Sequence, residues 1–101
     1  MAPQPHGNLR QAYLVEHYGP GRQVEQLTQS VALVRTVILE MERAGEPITY
    51  VRSTIVPRDE AFLCVVEASS EELVGEAFAR AGVAFDRVSA AISPEDERRN
   101  E

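Results

Sequence analysis

The sequence predicts an α+β fold in which four strands and two helices follow one another in the order β-α-β-β-α-β. Two observations support this prediction. Four stretches have the composition of β-strands, and stretches with apolar residues at helical spacing occur twice. Glycine and proline stand between most of these stretches, where they interrupt regular structure.

The first strand is predicted over residues 12–18, because this apolar and aromatic stretch stops at the turn-forming residues 19–21. The first helix follows, and Gly45 is well placed to end it. Five apolar residues along it recur at spacings of four and three residues, which predicts one buried stripe: Leu27, Val31, Val34, Ile38 and Met41.

The second and third strands are predicted over residues 48–56 and 61–68, and the polar turn 57–60 makes them a hairpin. The third strand is almost entirely apolar, which is typical of a strand at the centre of a sheet. The second helix begins at the serine and glutamate residues 69–72, since serine caps free backbone N–H groups and glutamate favours the positive end of a helix.

The second helix ends near Ala81, before Gly82, and a short fourth strand is predicted over residues 87–92. This order is the ferredoxin-like pattern, in which right-handed crossovers place both helices on one face of a four-stranded antiparallel sheet. We therefore predict a loose N-terminal segment over 1–11, a ferredoxin-like domain over 12–92 and a charged, flexible tail over 93–101.

The composition of the 101 residues excludes several classes of function. All ten positively charged residues are arginine, so chemistry that needs a lysine nucleophile or a P-loop is excluded. The single cysteine rules out a disulfide within the chain and a cysteine-rich zinc site. The net charge of -6 disfavours nucleic-acid binding. We expect no membrane span and a cytoplasmic location, because no long apolar run and no signal peptide are present.

Alternation along the strands assigns side chains to two faces of the sheet. Val15, Phe62, Cys64, Val66, Val51 and Ile55 are assigned to the helix side. The opposite side, which we call the open face, is then predicted to carry Glu16, Tyr18, Tyr50, Arg52, Thr54, Leu63, Val65 and Glu67. The apolar part of this face is broad enough to mark an interaction surface, so we predict a homodimer in which the open faces of two subunits pack against each other. The predicted ligand-binding residues of the enclosed cavity are Glu16, Tyr18, Tyr50, Arg52 and Glu67.

Two pairs of residues have competing interpretations. Glu16 and Glu67 form either a carboxylate pair for acid–base or cation-binding work, or ion pairs with Arg52 or with an arginine of a second subunit. His17 and Cys64 are either a nucleophile with its base, or metal ligands, or a strand-end histidine and an inert buried cysteine.

Several short motifs stand out in combination: residues 13–17, 52–54, 57–60, 64–71, 79–82 and 86–88. Together they resemble a small bacterial family of ferredoxin-like domains of unknown function whose named representative is a nickel-binding protein. The resemblance covers about residues 12–92 and implies a dimer. It also implies a divalent metal, nickel, with His17, Cys64 and Glu67 at matching positions. Nickel-type members carry two further histidines, where this chain has Phe78 and Val83.

The sequence thus leaves three functions open. The first is a binding protein whose dimer holds a small ligand or a divalent metal. The second is a small cofactor-independent enzyme of the cyclase, isomerase or monooxygenase type, which ferredoxin-like dimers accommodate on the same sheet face. The third is a regulatory or assembly module that acts through its outer surfaces.

Overall fold

The structure, a computed structural model, describes residues 10–92. Residues 1–9 and 93–101, which include most of the predicted N-terminal segment and the whole predicted tail, lie outside this range. No helix in the described part of the chain combines the length and apolar character needed to cross a membrane. The elements occur in the predicted order: β1 (Gln11–Tyr18), α1 (Val24–Arg43), β2 (Ile48–Val56), β3 (Ala61–Ala68), α2 (Glu71–Ala81) and β4 (Arg87–Ala91).

The four strands form one antiparallel sheet in the order β2-β3-β1-β4, so β1 and β3 are central. Both helices pack on one face, because their buried side chains belong to the same core as the inward side chains of β1 and β3. These observations confirm the ferredoxin-like α+β fold. The predicted stripe of α1 is buried as expected, except that Val31 is partly buried and Ser30 joins the buried set.

The ends of α2 form as the sequence predicts. The Ser70 hydroxyl accepts a hydrogen bond from the Leu73 backbone N–H at 3.2 Å, which satisfies one of the free donors at the helix start. Gly82 ends the helix at φ +70°, a left-handed conformation that residues with a Cβ rarely adopt. The chain then turns toward β4, and the Asp86 backbone N–H donates to the Glu16 carbonyl at 2.7 Å.

A β-bulge in β2 reverses the alternation of its side chains between the two faces of the sheet. Tyr50 pairs with Val66, but the next pair is Arg52 with Val65, so Val51 is the extra residue. Before the bulge Tyr50 faces the helices, and after it Ser53 and Ile55 face the helices. The predicted faces of β1 and β3 and of Arg52, Thr54 and Ile55 are confirmed.

The predicted positions of Tyr50 and Val51 are wrong. Tyr50 lies on the helix side, where it packs against the hydrophobic core. Val51 is 39% exposed instead of buried. The physical reason is the bulge, since one extra residue reverses the side-chain alternation on one side of it.

Candidate functional site

The open face has an apolar centre and charged borders. Its centre consists of Leu14 on β1 and of Leu63 and Val65 on β3, all of which are half-buried. These side chains lie on the two central strands, where neighbouring side chains on both sides shield part of their surface. Polar and charged residues of all four strands surround them on the same face: Glu16, Tyr18, Thr49, Arg52, Thr54, Glu67, Arg87 and Ser89.

Glu16, Tyr18 and Arg87 form a hydrogen-bonded group at one end of the open face, which we call the Glu16 cluster. The Tyr18 hydroxyl donates to Glu16 Oε1 at 2.5 Å, and Arg87 Nε lies 3.6 Å from Glu16 Oε2. Glu16 is only 14% exposed in its side chain, whereas Arg87 is 70% exposed. The hydrogen bond to Glu16 is the main cause that raises the pKa of Tyr18 above its usual value.

The predicted carboxylate pair does not form within one chain. Glu16 aligns with Leu63, and Glu67 lies four residues further along β3. At roughly 3.3 Å per residue, this places the two backbones roughly 13 Å apart. Glu16 does form an ion pair, but its partner within the chain is Arg87, which was not among the predicted partners, and not Arg52. Within residues 10–92, Glu67 and Arg52 form no ion pair.

Tyr50 belongs to a different set of contacts from the other predicted ligand-binding residues. Its hydroxyl donates to Ser53 Oγ at 2.7 Å, and Ser53 Oγ lies 2.8 Å from Cys64 Sγ. Tyr50, Ser53 and Cys64 therefore form a hydrogen-bonded chain on the helix side of the sheet. Cys64 is fully buried, and desolvation raises the pKa of its thiol from 9.0 to about 11. A thiol in this state is a poor nucleophile at neutral pH.

His17 is buried at the end of β1, on the helix side. Its ring stacks on Phe62 with the centroids 4.6 Å apart, and its Nδ1 lies 2.7 Å from the Ala84 carbonyl oxygen. A carbonyl oxygen only accepts, so Nδ1 carries the hydrogen and Nε2 of the neutral ring is an acceptor. Nε2 is buried and has no hydrogen-bond partner among the described residues.

The three predicted metal ligands do not converge. His17 and Cys64 lie on the helix side, where they align with Phe62 and Val15 respectively, while Glu67 lies on the open face. In the part of the chain that the structure describes, no group of three or more histidine, cysteine, aspartate or glutamate residues could hold a metal ion. Cys64 is in addition occupied by its contact with Ser53.

Arg87 and Arg22 contribute to these surroundings without having been predicted. The sequence places Arg87 in the fourth strand without assigning its face, and its pairing with Glu16 in the structure puts it on the open face. Arg22 lies in the loop before α1 and donates from Nη2 to Ser30 Oγ at 3.1 Å. For Arg22 the sequence carries no periodic signal, because loop residues follow neither helical nor strand spacing.

Comparisons with known proteins agree with the fold. The crystal structure of SCO4226 from Streptomyces coelicolor A3(2) superimposes with a TM-score of 0.64 at 24% identity, over 81% of this chain and 98% of that one. A REP-associated tyrosine transposase bound to a REP hairpin gives a TM-score of 0.52 at 15% identity, over 90% of this chain and 61% of that one. At these identities the likeness concerns the fold alone.

No curated protein sequence matches the chain. A family model does match, and it spans residues 13–90, almost the whole described region. The family is described as the nickel responsive protein SCO4226-like. This match agrees with the resemblance found in the motifs on β1, β3 and α2. The chain therefore belongs to the SCO4226-like family of nickel responsive proteins.

Proposed function

We propose that this protein is a small-molecule-binding protein that works as a homodimer, with its ligand site between two open faces. The observation that supports this proposal is the composition of the open face. Leu14, Leu63 and Val65 form an apolar centre, and Arg52 and Glu67 near it have no ion-pair partner within residues 10–92. A second copy of the same face supplies both an apolar cover and the missing charges.

The charges of the open face are complementary to those of a second copy. Arg52 pairs with Val65, and Glu67 lies two residues further along β3, so the two charges are separated along the strand direction. In the proposed dimer, the two-fold axis lies in the plane between the two facing sheets. It passes over the midpoint between Arg52 and Glu67 and runs perpendicular to the line that joins them. This axis places Arg52 opposite Glu67 of the partner subunit, and symmetry forms the reverse pair.

The ligand class follows from the groups that border the apolar centre. Arg52 and Arg87 are exposed guanidinium groups that suit an anionic group, and Tyr18 offers a ring that is 46% exposed. The Glu16 carboxylate is already bonded to Tyr18 and Arg87, which suits a positioning role better than that of a free base. We therefore propose a small organic anion as the ligand, held by arginine and by apolar contact.

The family description relates its members to nickel, but the donor set of this chain does not fit a nickel ion. Nickel in proteins is held by several nitrogen, oxygen or sulfur ligands around one point. Here His17 offers one imidazole nitrogen, Cys64 is bonded to Ser53, and Glu67 lies on the other face of the sheet. Within the described residues, the protein thus lacks a nickel-binding set.

The dimer is tested by sedimentation velocity and native mass spectrometry on protein without an affinity tag. Val65→Glu places a charge at the centre of the open face, and we expect it to convert the dimer into a folded monomer. Arg58→Glu, on the exposed turn between β2 and β3, is the matched control and should remain a dimer. A wild-type protein that is monomeric at high micromolar concentration, or a Val65→Glu variant that dimerises as well as wild type, contradicts the proposal.

The ligand and the metal are tested on the same preparations. Native mass spectrometry at low activation should detect a retained small molecule on the wild-type dimer and not on the Val65→Glu monomer. Elemental analysis should find nickel far below one ion per chain. Stoichiometric nickel would contradict the conclusion that the residues of this chain do not fit a nickel ion. A dimer that retains no added organic anion would contradict the proposal that the ligand is a small organic anion.

A further inference from the structure

A cavity lies on the helix side of the sheet, away from the open face. It has a volume of about 330 Å³, which is the space of roughly ten water molecules and the lower end of small-ligand sites. The first half of α1 forms one wall, and residues 82–84 after α2 form the other. His17, Arg22, Gln26, Gln29 and Ser30 supply its polar lining.

Two buried nitrogen atoms in this lining have no hydrogen-bond partner within residues 10–92. They are His17 Nε2 and Arg22 Nε. His17 is 6% exposed, so its unpartnered nitrogen carries the cost of a buried polar group. The two side chains are neighbours beside Gly19, where an added Cβ would lie 2.7 Å from Arg22 Cγ and 3.0 Å from His17 Nε2. Both side chains line the same cavity.

The two nitrogen atoms need different hydrogen-bond partners, one an acceptor and the other a donor. Arg22 Nε is a donor that always carries its hydrogen, so it needs an acceptor. His17 donates from Nδ1 to the Ala84 carbonyl, so Nε2 of the neutral ring needs a donor. A ligand that satisfies Arg22 Nε and the neutral form of the His17 ring must present an acceptor oxygen and an O–H or N–H group next to each other.

The residues that line the cavity favour the binding of an anion. Arg22 is its only residue with a fixed charge, and no carboxylate lines the cavity among the residues that the structure describes. The amide side chains of Gln26 and Gln29 and the Ser30 hydroxyl add neutral hydrogen-bonding groups. In a protein with a net charge of -6, a cavity with a positive and acid-free lining is distinct from its surroundings.

We propose that this cavity binds a small oxyanion that carries an O–H group, such as hydrogen phosphate or an α-hydroxy carboxylate. An anionic oxygen accepts the hydrogen of Arg22 Nε, and the ligand O–H donates to His17 Nε2. The remaining oxygen atoms face the glutamine amides and Ser30. This site is separate from the proposed dimer site on the open face, and neither requires the other.

Matched pairs of ligands test the proposal on the full-length wild-type protein. Hydrogen phosphate keeps an O–H group at neutral pH and sulfate does not, while lactate has a hydroxyl that propionate lacks. We expect phosphate or lactate to bind at least about tenfold more tightly than its partner, since the partner leaves His17 Nε2 without a donor. Calorimetry gives the affinities, and NMR titration of the His17 ring signals locates the site. The pair with the larger preference identifies the anion class.

Two variants separate the roles of the two side chains. Arg22→Met keeps the aliphatic stem and removes the guanidinium group, so it should abolish binding of both members of a pair. His17→Phe keeps a ring that can stack on Phe62 and removes Nε2, so it should remove the preference and leave weak binding. Arg58→Met on the exposed turn is the control and should bind as wild type.

The outcomes are decisive even if a variant fails to fold, because the ligand pairs are compared on the wild-type protein. Equal affinities within both pairs, the absence of any binding, or saturable binding that leaves the His17 ring signals unmoved each overturns the proposal. A preference for the O–H-bearing anion that depends on Arg22 supports it.

Discussion

The Tyr18 hydroxyl donates a hydrogen bond to the Glu16 carboxylate at 2.5 Å, from two residues further along the same strand. Residues two apart on a strand share a face, so this contact lies entirely on the open face. Arg87 on β4 contacts the other carboxylate oxygen. Glu16 is thus held from both sides, and its position is fixed by β1 and β4 together.

The first prediction concerns the ionisation of Tyr18. Glu16→Gln replaces the carboxylate that accepts the Tyr18 hydrogen bond and whose negative charge opposes the phenolate, so the pKa of Tyr18 should fall toward its ordinary value of 10.0. Tyrosinate absorbance against pH measures this change, and Tyr18→Phe identifies which signal belongs to Tyr18. Glu67→Gln, on the same face but four residues further along β3 from the level of Glu16, is the control and should leave the titration unchanged. An unchanged titration in Glu16→Gln contradicts the assignment.

The second prediction concerns the chain of contacts from Tyr50 to Cys64. Tyr50→Phe removes the hydroxyl that donates to Ser53, so the free energy of unfolding should fall by about 1 kcal/mol. Val51→Thr, at the exposed neighbouring position, keeps the β-branched shape and should change it by less than about 0.5 kcal/mol. Urea denaturation at neutral pH measures both. Equal effects would mean that Tyr50 does not depend on this hydrogen bond for its place in the core.

The contrast between Tyr50 and Phe62 explains how far the sequence predicts the faces of the sheet. Phe62 lies on β3 away from the bulge, at a position where pairing with both β1 and β2 is regular, and its predicted face is correct. Tyr50 lies on the edge strand β2, next to the bulge at Val51. Nothing in a run of β-forming residues marks where an extra residue is inserted, because the bulge depends on packing of the strand against the rest of the sheet.

The sequence predicts the candidate sites less well than the fold, for a related reason. Helix stripes and strand order follow from local spacing, which a single sequence contains. The contact of Arg87 with Glu16 depends on the register between β1 and β4, and the approach of Arg22 to His17 depends on the loop at Gly19. These are distances between segments far apart or irregular in the chain, so only the three-dimensional structure provides them.

The third prediction is a loss of stability at high pH caused by Cys64. The folded state raises the pKa of this thiol from 9.0 to about 11, so the folded chain keeps the proton that the unfolded chain releases. The resulting stabilisation is complete below pH 9 and is lost as the pH rises toward 11. A shift of this size corresponds to roughly 2–3 kcal/mol.

Cys64→Ala isolates this contribution, because the other titrating groups are the same in both proteins. The variant lacks the thiol, so its free energy of unfolding should fall less steeply than that of the wild type between pH 9 and 11. Urea denaturation at several pH values measures the two slopes. If the difference in stability between the two proteins stays constant over this range, the thiol is not protonated more strongly in the folded state.

The fourth prediction tests the proposed reciprocal pairs of the dimer by exchange of charges. Arg52→Glu or Glu67→Arg alone replaces two attractive contacts by two repulsive ones, so each should raise the dissociation constant of the dimer by about tenfold or more. The double variant with both changes restores opposite charges across the two-fold axis and should recover most of the loss.

Sedimentation equilibrium at low and high salt measures this exchange. Arg35→Glu, an exposed position on α1, is the control for a change in net charge away from the open face and should leave dimerisation unaltered. Because the contacts are between charges, the defect of each single variant should shrink as salt rises. If the double variant dimerises no better than the single variants, Arg52 and Glu67 do not face each other, and a two-fold axis through the midpoint between them is excluded.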